Sequence, residues 1–327
     1  PGRAALTLPG GPGLRPAPGA AWRGHGPARG AARPGRPVVL LSPMVPDQSM
    51  TLRCGSTALD LSYPRVMGIL NVTPDSFSDA GRFLAPEQAV EQGLAMMLQG
   101  AAVIDVGGES TRPGAPAVPL DEELRRVVPV VERLARAGVV VSVDTSKPEV
   151  MRAAAAAGAH MINDVCGLTR PGALEAVAAS GCAVTLMHMR GDPRTMQQDP
   201  VYGDVVHEVR EWLLGRVRAC REAGIAAERL VIDPGFGFGK TLAHNLELVR
   251  RLGELAATGL PVLMGMSRKS SIGALTGRRV EERLAGSLAF AVIAVTNGAH
   301  IIRAHDVAAT VDALAVVRAV RGWAVGS

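Results

Sequence analysis

Cysteine is scarce in this chain. The four thiols, Cys54, Cys166, Cys182 and Cys220, form no CxxC pair and no other metal-ligand spacing. That excludes a zinc ribbon or finger and reads as small core residues of a reducing, cytoplasmic protein. Long apolar runs are also missing: none approaches the roughly 18 residues that a membrane-spanning helix needs, so no membrane partner is expected. Haem, zinc and flavin signatures are absent. The isoelectric point near 9.4 suggests a nucleic-acid partner until the charge is located. Residues 1–50 carry six arginines against the single acid Asp47, which is +5, and the whole chain is also +5. Residues 51–327 therefore sum to zero, and no nucleic acid is expected as a partner.

What is present divides into an extension and one domain. Residues 1–50 are rich in Gly, Pro, Ala and Arg without hydrophobic period. Such a segment buries too little apolar surface to offset its ordering entropy, so it is expected to be disordered. A secretory signal needs a long apolar region and a transit peptide is Ser-rich; this segment is neither. The domain, residues 51–327, becomes regular from Tyr63. Short apolar runs (66–70, 103–106, 139–143, 161–162, 183–187, 230–232, 262–266 and 300–302) alternate with amphipathic stretches (86–99, 121–137, 148–157, 172–179, 205–223, 243–257, 280–295 and 308–320). Strand–helix alternation is the signature of a parallel sheet. Eight repeats in about 265 residues predict a TIM (β/α)8 barrel rather than an open doubly wound sheet. Gly100-Ala101-Ala102, Gly158-Ala159-His160 and Gly298-Ala299-His300 each join a helix end to a strand.

A barrel of this kind carries its active site at the C-terminal ends of its strands. Those ends hold Asn71, Thr73, Asp75 and Ser76; Asp105 with Gly107-Gly108-Glu109-Ser110-Thr111-Arg112; Asp144 and Thr145; Asn163 and Asp164; His188; Asp233; Ser267-Arg268-Lys269-Ser270; and Arg303, His305 and Asp306. Any one of these could be a helix cap or turn former. Caps alone do not explain carboxylates, amides and cations at nearly every end of one barrel. Lys269, Arg303, His305 and Arg112 suit a phosphate or carboxylate. Asp144, Asn163 and Asp233 suit a flat heterocycle with an amide-like edge, so the two together suggest a heterocycle bearing phosphate. Gly235-Phe236-Gly237-Phe238-Gly239-Lys240-Thr241 is not a P-loop, since the first Gly of GxxxxGK[ST] would fall on Pro234. It is expected to be a flexible turn that brings backbone close to a ligand, with Phe236 and Phe238 partly lining the pocket. His188, between two methionines, is expected to be structural.

These motifs resemble a known family. Residues 67–79, Met-Gly-Ile-Leu-Asn-Val-Thr-Pro-Asp-Ser-Phe-Ser-Asp, are similar to the first signature of the dihydropteroate synthases, and residues 105–114, Asp-Val-Gly-Gly-Glu-Ser-Thr-Arg-Pro-Gly, to the second. Val143-Asp144-Thr145, Asn163-Asp164, Met187-His188-Met189, Asp233 through Lys240, Ser267 through Ser270 and Arg303-x-His305 follow in the family's order. Ala80 and Ala304 stand where Gly and Val are usual, and neither change removes a functional side chain.

The resemblance implies condensation of 6-hydroxymethyl-7,8-dihydropterin diphosphate with para-aminobenzoate, with Mg2+ required and a homodimer common. By motif, Asp144, Asn163, Asp233 and Lys269 would hold the pterin, and Arg303 and His305 the diphosphate, with Arg303 able to stack on the ring. Lys269, Arg303 and His305 would be the catalytic set, and Asn71 would ligate Mg2+. Thr111 and Arg112 would lie in a loop that closes over the second substrate, with Thr111 on the pterin diphosphate side. Arg112, Phe236 and Ser270 would contact para-aminobenzoate. A methyltetrahydrofolate methyltransferase shares the pterin grip but has no use for the diphosphate cluster. A non-catalytic pterin-binding paralogue is the other alternative.

Overall fold

A computed structural model of the chain describes residues 50–72, 85–110, 117–191, 196 and 200–323. The expectations placed on residues 1–49, on Thr73, Asp75 and Ser76, and on Thr111 and Arg112 fall outside them. Ten strands are present among the described residues: β1 (Thr51–Cys54), β2 (Thr57–Asp60), β3 (Arg65–Asn71), β4 (Val103–Gly107), β5 (Val141–Asp144), β6 (Met161–Asp164), β7 (Ala183–Met187), β8 (Leu230–Asp233), β9 (Leu263–Met264) and β10 (Ile301–Ala304). The last eight form one parallel sheet in the order β8-β7-β6-β5-β4-β3-β10-β9. A parallel bridge from Ile232 to Val262 joins its two ends and closes the barrel.

Strand pleating sends alternate side chains to opposite faces. Val66, Leu70, Ile104, Val106, Val141, Val143, Ile162, Val184, Leu186, Leu230 and Ile302 belong to the large core under the helices. That core receives the apolar stripes of α1 (Ala85–Leu98), α2 (Leu120–Arg136), α3 (Pro148–Ala156), α4 (Ala173–Ser180), α5 (Val205–Glu222), α6 (Leu242–Arg250), α9 (Leu284–Thr296) and α10 (Val307–Arg321). The opposite phase of the same strands faces the barrel axis. Its first residues, Met67, Val103, Met161, Ala183, Val231, Leu263 and Ile301, form a separate apolar cluster.

That inner cluster is completed by a hairpin that periodicity from Tyr63 onward did not include. β1 and β2 pair antiparallel across Gly55-Ser56. Their buried side chains Leu52, Cys54 and Leu59, with Leu61 beyond, pack on the inner cluster at the N-terminal ends of the strands. The signal was available: apolar residues alternate on both sides of a two-residue Gly-Ser turn. Two helices also differ from expectation. The stretch 243–257 is broken into α6 and a short α7 (Gly253–Ala256), and 280–295 opens with a single 3-10 turn before α9. A further short helix, α8 (Ser270–Thr276), follows β9. The three Gly-Ala lead-ins do mark helix-to-strand joints, with φ of +96° at Gly100, +98° at Gly158 and +109° at Gly298. A left-handed helix end of this kind favours glycine.

Candidate active site

The inward phase that begins apolar turns polar higher up. Two residues past Val103, Met161, Val231 and Ile301 stand Asp105, Asn163, Asp233 and Arg303, and β3 ends in Asn71 and β5 in Asp144. The strands thus gather at one mouth most of the side chains expected to form the site. Asp105 is fully buried, and Asp144, Asn163 and Asp233 nearly so.

Arg303 is the centre of this group. Its Nε donates to Asp105 Oδ2 at 2.6 Å and its Nη2 to Asp144 Oδ2 at 2.8 Å. Asn163 Nδ2 donates to the same Asp105 oxygen at 2.9 Å. A guanidinium expected to meet a diphosphate therefore already spends two donors on carboxylates. Among the described residues the other oxygens, Asp105 Oδ1 and Asp144 Oδ1, are buried without a protein donor, and the hydroxyls of Ser142 and Thr185 have no partner. Leaving a buried acceptor unmade costs about 1–3 kcal/mol, so these atoms mark where a donor-rich ligand would gain most. Asp105 has a larger part than its place among the strand-end residues suggested. The period-2 phase Val103-Asp105-Gly107 was the available signal.

Burial governs the charges here. It pushes the Asp144 carboxyl up to about 7, against the pull of Arg303, with Asp105 adding to the rise. Burial also raises Asp233, against Lys269 and the Gly235 N–H that bonds its Oδ1 at 2.7 Å. Lys269 is pushed down to about 8 by burial, against Asp233. A pocket holding three acids and two cations away from water is a poor place for bare charge and a good one for a ligand that supplies hydrogen bonds.

The backbone just before Lys269 is strained. Arg268 has φ +58°, a left-handed conformation that costs a non-glycine residue roughly 1–2 kcal/mol. Its side chain is held by Asp306, with Nε to Oδ2 at 3.0 Å, and its N–H by Ser287 Oγ at 3.0 Å. The next residue, Lys269, donates through Nζ to the Phe236 carbonyl. Ser267 Oγ meets His305 twice, accepting from the backbone N–H at 3.2 Å and lying 3.0 Å from Nδ1. The segments after β9 and β10 are thereby zipped together. Ser270, first in α8, is exposed at the outer edge.

The glycine-rich turn is expected from sequence to be flexible and to bring backbone close to a ligand; two of its glycines bring it close to protein backbone. An added Cβ at Gly235 would lie 1.9 Å from the His188 carbonyl oxygen, and one at Gly239 2.4 Å from that of Arg190. Only glycine permits such flush contact. Its two rings also differ. Phe236 is 1% exposed and packs edge-on against Phe290 at 5.4 Å, so it cannot present a face to para-aminobenzoate. Phe238 is half-buried and lies 4.5 Å below Lys269 Nζ, which makes it the ring available to a ligand. His188 is structural as expected: it is buried, and its Nδ1 lies 3.0 Å from Lys240 Nζ. A cleft of about 500 Å³ beside it, lined by Arg190, Tyr202, His207 and Trp212, contains none of the expected site residues.

Comparison with known proteins supplies independent findings. The family model described as pterin binding enzyme matches residues 67–305. The chain is 57% identical over 271 residues to a protein of Escherichia coli (strain K12) named dihydropteroate synthase, covering 83% of this chain and 96% of that one. It is 51% identical over 271 residues to the protein of that name from Haemophilus influenzae, covering 83% and 98%. The solved structure of Xanthomonas albilineans dihydropteroate synthase with 4-aminobenzoic acid aligns with TM-score 0.79 and 56% identity, covering 85% of this chain and 99% of that one. The same enzyme in complex with 7,8-dihydropteroate aligns with TM-score 0.76 and 54% identity, covering 84% and 100%.

Proposed function

The chain belongs to the dihydropteroate synthases of the pterin-binding enzyme family, and from that premise we propose that it condenses 6-hydroxymethyl-7,8-dihydropterin diphosphate with para-aminobenzoate to give 7,8-dihydropteroate and diphosphate. The observation that carries the reading for this chain's own residues is the buried Asp105–Arg303–Asp144 group, with Asn163, Asp233 and Lys269 around one barrel mouth. A pterin offers what that group lacks. Its 2-amino and ring N–H edge suits two parallel bonds to Asp233, and its carbonyl side suits the Lys269 ammonium. Asn163 and the open oxygens of Asp105 and Asp144 suit the remaining ring nitrogens. The flat Arg303 guanidinium, fixed by two carboxylates, suits stacking against the ring.

The bond that breaks joins the pterin CH2 to the diphosphate oxygen, and its electron pair leaves with the diphosphate. The bond that forms joins the same carbon to the aromatic amine, which then loses a proton. Because the conjugated ring shares positive charge, breakage can run ahead of attack, and the site's task is to stabilise the departing anion. His305 and the remaining N–H donors of Arg303 are proposed for that task. Ser270, Phe238 and Arg112 are proposed for the aminobenzoate, and Thr111 for the diphosphate side.

Mg2+ fits this donor set. Among the described residues no cluster of three His, Cys, Asp or Glu could hold an ion alone, whereas Asn71, half-buried at the end of β3, brings an amide oxygen. Mg2+ keeps much of its shell for water and substrate phosphate, so Asn71 would hold it together with the diphosphate. When bound it would offset charge on the leaving group. The homodimer is part of the same proposal, supported by Leu275, Val280 and Leu284, exposed on one short stretch of chain. Cytoplasmic residence is supported by free thiols, with Cys54, Cys182 and Cys220 buried as core residues.

The test supplies pterin diphosphate and Mg2+ with and without para-aminobenzoate and follows diphosphate and dihydropteroate together. Dihydropteroate formed only with the amine supports the reading; pterin binding without product would leave a non-catalytic paralogue.

A further inference from the structure

Lysine is rare in this chain, which has 35 basic residues of which 32 are arginine. The three lysines, Lys147, Lys240 and Lys269, all sit after barrel strands. Lys269 enters the pterin reading above, and Lys147 pairs with Glu109 and the buried Glu123. Lys240 has no assigned part, yet it is the most buried cation in the neighbourhood, at 3% exposure.

Its surroundings are specific. Lys240 Nζ donates to the Phe238 carbonyl at 2.9 Å and lies 3.0 Å from His188 Nδ1, with the His188 carbonyl at 3.4 Å. Among the described residues no carboxylate forms an ion pair with it, though the charge of Asp233 acts on it. Burial pushes Lys240 down to about 7 and His188 to about 3. The Lys240 side chain thus bridges two segments, one after β7 and one after β8, with a neutral imidazole able to accept through Nδ1 when the lysine is protonated.

The segment it fastens carries the pterin contacts. Asp233 Oδ1 accepts from Gly235 N, Lys269 donates to the Phe236 carbonyl, and Gly237 N donates to Asn245 Oδ1 at 2.7 Å. Asn245 Nδ2 in turn reaches the Lys240 carbonyl at 3.5 Å. We propose that Lys240 is a positioning residue for the pterin end of the site, whose buried ammonium pins the Gly235–Gly239 turn to His188 and so fixes the aim of Asp233 and Lys269. This rests on the pterin reading of that site. Lys240 is buried behind the turn and acts through it.

The experiment compares the full chain with Lys240→Met, which keeps length and removes the donor. Calorimetry with 6-hydroxymethyl-7,8-dihydropterin diphosphate and steady-state KM for each substrate are the readouts, with thermal unfolding alongside. Misaim of a contact set by a fraction of an ångström to an ångström should weaken pterin binding by about tenfold to a hundredfold, with KM for para-aminobenzoate changed less than about twofold. Should Lys240→Met not fold, His188→Leu and His188→Asn read the same tie from its other end. Asparagine keeps an acceptor where Nδ1 stood and should retain pterin affinity, whereas leucine should lose it. Unchanged pterin affinity in Lys240→Met, equal damage to both substrates, or equal affinity in the two His188 variants overturns the proposal. A wild-type chain that binds no pterin would instead overturn the reading of the site.

Discussion

The two ends of the barrel are built from the same strands and obey opposite rules. At the N-terminal end Met67, Val103, Met161, Val231 and Ile301 close on Leu52, Cys54, Leu59 and Leu61 of the hairpin segment, all of them buried hydrocarbon, thioether or thiol. One pleat further along, Asp105, Asn163, Asp233 and Arg303 replace them, and buried acceptors go without protein donors. Burial stabilises the first end and works against the second, where each charge would be more comfortable in water. The strands can hold such a mouth in shape because their lower halves and their outer faces are packed without polar compromise.

The largest expected effect belongs to the polar end. Asp233→Asn keeps an acceptor for Gly235 N–H but offers an N–H where the pterin edge has its own. It should cut pterin diphosphate affinity by as much as ~10^4, the scale on which a site built around donors rejects a mismatched partner. The melting temperature should not fall, since a buried charge is removed. Calorimetry and thermal unfolding together check this, and near-normal affinity would break the assignment.

Leu52→Ala should do the reverse at the apolar end. Removing a fully buried leucine costs about 2–5 kcal/mol, while kcat/KM for both substrates should stay within about twofold. Denaturant unfolding measures the first and steady-state kinetics the second. A kinetic loss matching the stability loss would show that the two ends are not separable.

The pH dependence of stability sharpens the same contrast. Asp144 sits at about 7 in the folded chain, chiefly through burial, against about 4 for an unfolded aspartate. The native chain thus holds a proton that the unfolded one has released. Its contribution is full below about pH 4 and is lost as pH rises toward 7. Unliganded wild type should melt progressively lower between pH 5 and 7.5, and Asp144→Asn should flatten that slope; parallel curves would remove Asp144 as its source. The smallest effect is expected from deleting residues 1–49. Leu61 N–H already bonds Met50 O, and the hairpin completes the inner cluster with its own residues. Melting temperature and activity should both be unchanged.

Much of this was legible in the sequence because it is local. Strand–helix alternation in eight repeats sets the barrel, since each element's period is written in a few consecutive residues. The polar residues at the strand ends then follow from the barrel rule, and the motifs from 67 to 305 carry the family. The hairpin was legible in principle, as two four-residue alternations about Gly55-Ser56, but it lies outside the repeat that organised the rest. What only the tertiary structure decided is which side chains meet. That Arg303 spends two donors on Asp105 and Asp144, 198 and 159 residues away, depends on barrel closure. That Phe236 is buried against Phe290 while Phe238 stays half-buried beneath Lys269 is set by contacts that no local pattern contains. Lys240 closes a glycine-rich run whose spacing is not that of a phosphate loop, and no local pattern tells where its side chain goes; in the fold, where Gly235 and Gly239 pack on His188 and Arg190, it is buried beside His188. Periodicity states which face a residue is on; its partner across the fold is set by closure and by the space that glycine leaves.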